Sequence, residues 1–90
     1  MAEEAIELEV DGHVVSVPSE VVGRLAAAAA ARAGISSRHR DLSIQLGRAL
    51  ESGRVVLSRG EARALRAVLE EAPNVYGAAG EDLARAAADV

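Results

Sequence analysis

An Asp-Gly pair at positions 11 and 12 lies between two short runs of alternating residues, and it constrains this chain more than any other feature. Ile6, Leu8 and Val10 alternate with Glu7 and Glu9 before it, and Val15 and Val17 flank Ser16 after it. Asp-Gly tolerates positive φ at both centres of a two-residue type I′ turn, whose twist matches that of a hairpin. That turn fixes the register. Val10 then pairs with His13, Leu8 with Val15 and Ile6 with Val17 on one face, while Glu9 meets Val14 and Glu7 meets Ser16 on the other. A one-residue slip would exchange the faces, so agreement between turn geometry and hydrophobic pattern specifies the pairing.

An isolated hairpin is marginal in water, so the remaining chain must cover its apolar face. Pro18 ends the second strand and suits the first turn of a helix, with Glu20 near the positive end of its dipole. Val21, Val22, Leu25 and Ala29 form a helical stripe and Gly34 is a natural cap, which predicts a helix over residues 18–33. Ser36 or Ser37 caps a second helix over 38–52, where Leu42, Leu46, Ala49 and Leu50 repeat at helical spacing before Gly53. Residues 54–57 are β-rich and fit a third strand beside the hairpin. Ser58-x-x-Glu61 is a capping box that opens a third helix ending near Ala72, with Ala62, Leu65, Val68, Leu69 and Ala72 as its buried stripe. Residues 73–80 read as a loop carrying Tyr76, and 81–90 as a short last helix around Leu83 and Ala86 or Ala87. The expected fold is α+β, one small domain over residues 1–90: an N-terminal β-hairpin, with a third short strand as an option, packed on three to four short Ala-rich helices.

The core such a chain can build is thin. Twenty residues are Ala, Tyr76 is the only aromatic, and Cys and Lys are absent. Aliphatic side chains this small bury little area at about 25 cal/mol per Å², and small domains bury a lesser share of their surface. Self-association is the expected reinforcement. Without Cys there is no disulfide, thiolate metal site or thiol chemistry. The Lys-free, Arg-only basic set fits the coding bias of a GC-rich, bacterial genome. Met1-Ala2-Glu3-Glu4 lacks the basic start and apolar run of a signal peptide, and the apolar run at 25–31 is too short to span a bilayer. A cytoplasmic location without membrane contact is the expectation.

The formal net charge of −4 conceals three blocks. Residues 1–20 carry six acids and no base; residues 21–66 carry nine arginines against Asp41, Glu51 and Glu61; residues 67–90 carry five acids against Arg85. Arg59, Arg63 and Arg66 fall within about 60° of one another on the third helix, away from its Leu65 and Leu69 stripe. Guanidiniums suit bidentate recognition of carboxylate or phosphate. No aromatic residue interleaves with them for base stacking, and the sequence pI of about 5.1 is far from that of a basic nucleic-acid domain. On the hairpin, Glu7 and Glu9 form an acidic row. An acidic strand on one copy and a basic helix on another would be complementary, and the hairpin edge is a template for strand addition.

Catalytic signatures are lacking. His39 lies near Ser36, Ser37 and Asp41, but residues two apart on a helix do not face each other, and no nucleophile elbow accompanies them. His13 reads as a polar neighbour of the turn. No His, Cys or carboxylate pair recurs at metal-ligand spacing, and a phosphate loop would need a Lys. Tyr76 reads as cover for the core before partner anchor. The expectation is therefore a non-catalytic protein-interaction module that self-associates through Glu7, Glu9, Arg59, Arg63 and Arg66, without cofactor or metal. The alternative is a nucleic-acid-binding regulatory protein that contacts phosphates through Arg38, Arg40, Arg59, Arg63 and Arg66.

Overall fold

Asp11 and Gly12 both adopt positive φ, 50° and 82°, as a type I′ turn requires. The turn joins β1 (Ala5–Val10) to β2 (His13–Pro18) in a computed structural model that describes residues 4–90. Most of the acidic start read against a signal peptide, Met1 to Glu3, lies outside the described residues. The register is the one the turn dictates, from Val10 opposite His13 to Ile6 opposite Val17. Pro18 stands opposite Ala5. That position is not hydrogen-bonded in the antiparallel ladder, so its missing N–H takes nothing from β1. The alternation continues one step beyond, where Ser19 N–H donates to the Glu4 carbonyl at 2.9 Å.

After the hairpin come α1 (Ser19–Ala30), α2 (Ser37–Ser52), β3 (Arg54–Val56), α3 (Arg59–Glu71) and α4 (Gly77–Ala86). The third strand is present and runs parallel to β1, giving the order β2-β1-β3. Glu7 N–H donates to the Gly53 carbonyl and Leu57 N–H to the Glu9 carbonyl, both at 2.9 Å. β1 thus uses alternate residues to bond each neighbour. The helices cover one face of the sheet. Ile6, Leu8, Val10 and Val17 from the strands meet Val22, Leu25 and Ala29 of α1, Leu42, Leu46 and Ala49 of α2, and Leu65 and Leu69 of α3 in a single buried cluster, which Leu83 of α4 joins.

Helix ends follow side-chain caps where these exist. Ser36 Oγ accepts from His39 N–H at 3.3 Å to start α2, and Gly53, at φ 89°, closes it. Ser58 and Glu61 form the full capping box of α3, with Ser58 Oγ accepting from Glu61 N–H at 3.2 Å and Glu61 Oε1 from Ser58 N–H at 2.8 Å. Glu61 is buried in consequence.

Three sequence expectations need correction. α1 ends at Ala30 and passes into tight turns through Ile35, so Gly34 is not its cap. Its last buried residue is Ala29, and beyond it no apolar side chain holds another helical turn against the core. Leu50 is 38% exposed; it projects about 75° from the middle of the Leu42–Leu46–Ala49 stripe at 100° per residue. α4 starts at Gly77, inside the expected loop, and ends at Ala86. There Tyr76 is buried and packs so closely on Gly80 that a Cβ at Gly80 would stand 2.6 Å from Tyr76 Cβ. Gly77, at φ 62°, turns the chain so that Tyr76 folds back over Gly80 at the start of α4.

Candidate functional site

Among the described residues no helix packs on the outer face of the sheet, where Glu7, Val14, Ser16, Arg54 and Val56 are exposed. The two registers place its residues in rows: Val14, Glu9 and Val56 across one, Ser16, Glu7 and Arg54 across the next. Val14 and Val56 are 57% and 59% exposed, Glu7 is exposed and Glu9 half-buried between the valines. Glu7 and Glu9 form no ion pair among the described residues, although Arg54 is in register with Glu7. The open face is therefore an acidic row set between two valines and one arginine.

The arginines divide sharply. Arg24 pairs with Glu20 at 2.7 Å and Arg66 with Glu70 at 3.0 Å, while Arg32 pairs with Glu71 and Arg85 with Asp82. The six that remain, Arg38, Arg40, Arg48, Arg54, Arg59 and Arg63, are consecutive arginines of the sequence and have no carboxylate within ion-pair distance among the described residues. All six are exposed. Folding brings Arg38 to the turn of α3 that carries Arg59. The stem of Arg38 lies over Gly60, where a Cβ would be 3.8 Å from Arg38 Cγ, and Arg59 and Arg63 lie on one side of Gly60, about 100° and 60° around α3 from it. The first turns of α2 and α3 thus meet, each adding the positive end of its dipole.

The sequence-predicted set is split by this arrangement. Arg66 is occupied: besides Glu70, its guanidinium donates to the backbone oxygens of Ala88 at 3.2 Å and Val90 at 3.1 Å, tying residues 88–90 to α3. Arg40 projects about 200° around α2 from Arg38 and leaves the cluster. Arg59 and Arg63 stay side by side. Sequence reasoning missed Val56 and Arg54 as members of the acidic face, because their place depends on the parallel register of β3 with β1.

The other polar groups offer less chemistry. Ser36 Oγ lies 2.8 Å from His39 Nδ1, a contact the sequence reading did not foresee, but the same oxygen caps α2. Among the described residues His39 Nε2 is buried without a partner, and Asp41 makes no bond to the ring. His13 is exposed beside a shallow hollow that Val15, Asp82, Arg85 and Ala86 also line. No group of three or more His, Cys, Asp or Glu side chains is placed to hold a metal ion among the described residues. A cleft of about 410 Å³ between α3 and α4 is floored by Leu69 and Gly80, and its ionic groups are the Arg66–Glu70 pair and Glu81. No helix is long and apolar enough to cross a membrane among the described residues. Comparisons find no matching protein-family model, no similar curated protein and no similar solved structure.

Proposed function

We propose that this protein is a small, non-catalytic interaction module that self-associates by charge, the Glu7 and Glu9 face of one copy meeting Arg38, Arg59 and Arg63 of another. The observation that carries this reading is that, among the described residues, six arginines consecutive in the sequence and the row of Glu7 and Glu9 all lack an ion-pair partner. Each ion pair across an exposed contact is worth only about 0.2–1 kcal/mol, but complementary fields steer encounter and fix register. Different surfaces meet in such a contact, so it builds rings or chains. A thin aliphatic core gains from any such burial.

Light-scattering mass at about 0.05 and 0.5 M salt tests this, since charged contacts are screened at the higher value. Mass should fall as salt rises. Glu7→Arg with Glu9→Arg should lower the low-salt mass, as should Arg59→Glu with Arg63→Glu. Mixing the two double variants should restore association. Unchanged mass in both variants refutes the reading.

A second reading is favoured by the meeting of two helix starts at Arg38 and Gly60. Dipoles and guanidiniums at one point suit phosphate, and duplex binding would then weaken by about 0.9 log units per log unit of salt for each phosphate neutralised. Anisotropy with labelled random duplex decides between them. Duplex affinity abolished by Arg38→Ala, Arg59→Ala and Arg63→Ala together, in a protein whose mass does not change, would replace self-association with nucleic-acid binding.

A further inference from the structure

β2 is an edge strand. Its hydrogen-bonded pairs with β1 are Val10–His13, Leu8–Val15 and Ile6–Val17, so Val14 and Ser16 turn their N–H and C=O groups away from the sheet. Among the described residues no backbone group bonds them. Natural edges are guarded by charge, proline, bulges or shortness. β2 is six residues long, and the sequence His13-Val14-Val15-Ser16-Val17-Pro18 carries no Asp, Glu, Lys or Arg. Within the strand its one guard is Pro18, at the end; α4 packs beside it, with Asp82, Arg85 and Ala86 around His13 and Val15, and leaves Val14 and Ser16 exposed. β3, the opposite edge, has three residues, and the Arg54 carbonyl already accepts from Ser52 Oγ at 2.8 Å.

We propose that two copies pair β2 with β2, antiparallel, about a two-fold axis at Val15, so that Val14 of each lies opposite Ser16 of the other. This rests on the reading that the protein self-associates, and it adds to the charged contact a second one in which identical surfaces meet. The edge is self-complementary in that register. The N–H and C=O of Val14 meet the C=O and N–H of Ser16 in the second copy, and the reverse. Pro18 falls opposite Gly12, at the turn and outside the ladder. With the axis moved to Ser16, Val14 would face Pro18 and its carbonyl would lose a donor. The exposed Val14 side chains become diagonal neighbours across the new seam, within reach of each other. Like charge does not oppose the pairing: the two acidic rows are three strand spacings apart, about 14 Å, against a screening length of about 8 Å at physiological salt. The product is one continuous sheet ordered β3-β1-β2-β2-β1-β3.

Backbone pairing, unlike the charged contact, survives salt, and this separates the two. The wild-type chain should remain a dimer by light scattering at about 0.5 M salt. Val14→Lys with Ser16→Lys should raise its dissociation constant at least ~10-fold at physiological salt, because like charges then oppose each other across the seam. These lysines would stand beside Glu9 and Glu7 of their own β1, a favourable cross-strand arrangement that keeps the hairpin folded, which circular dichroism checks. Val14→Lys with Ser16→Glu should stay dimeric, because opposite charges then meet. A dimer indifferent to the double-lysine variant overturns the pairing, and dissociation of both variants overturns its register. A wild-type chain that assembles at low salt yet is monomeric at high salt overturns the edge and leaves the charged contact standing. A monomer at both salts overturns both.

Discussion

The two ends of this chain are held by opposite means. The N-terminal hairpin is held by backbone: a positive-φ turn, a full antiparallel ladder with β2, and parallel bonds from β1 to the segment around β3. α4 is held by side chains: Leu83 and the capping Tyr76 in the core, and Arg66 bonding two backbone oxygens of the final turn. Regular ladders tolerate change at exposed positions, because the groups that hold them belong to every residue alike. A helix docked by a few side chains depends on each of them. The hairpin is therefore free to display varied outer residues, and α4 is not.

Four substitutions test that contrast, from the largest effect to the smallest. Leu8→Ala removes a fully buried side chain from the central strand, between Val15 and Val55, and should cost about 2–5 kcal/mol in urea unfolding. A loss below ~1 kcal/mol would mean that β1 is not the keystone of both strand pairings. Gly80→Ala places a methyl where Tyr76 already stands and should cost about 1–3 kcal/mol by overpacking. Its damage should concentrate in α4, which amide exchange would show. Gly12→Ala forces an L side chain into φ 82° and should cost about 1–2 kcal/mol, loosening β2 before α4. Arg66→Ala should cost only about 0.5–1.5 kcal/mol while raising exchange in the last turn and sparing the hairpin amides. Equal acceleration at both ends would erase the distinction.

The same contrast explains what could be read from the sequence. The hairpin register, the Ser58–Glu61 box and the Gly53 closure are local rules, each complete within a few residues, and all stand in the structure. The third strand was legible as a segment, but its parallel pairing was not, since that depends on where two helices return the chain. α4 was misplaced for a related reason. Gly77-Ala78-Ala79-Gly80 has the composition of a loop, and its helical state goes with tertiary burial of Gly80, Leu83 and Ala86, which the local sequence does not display. Among candidate contacts, the helical wheel grouped Arg59, Arg63 and Arg66 correctly on one face. It could not show that Arg66 reaches residues 22 and 24 positions away, or that Arg38 crosses to Gly60. Same-face geometry is local, and partner choice is tertiary.

Tyr76 gives this molecule an unusual optical property. With no Trp or Phe in the sequence, every near-ultraviolet signal comes from one phenol ring, buried where α3 hands over to α4. Near-ultraviolet dichroism and tyrosine emission therefore report that corner alone, while far-ultraviolet dichroism reports the whole chain. If the two melting curves coincide, the hairpin and α4 unfold as one cooperative unit despite their different anchoring. If the tyrosine signal melts first, α4 leaves while the sheet persists. The protein thus carries a built-in reporter for its side-chain-anchored end, and no label is needed to read it.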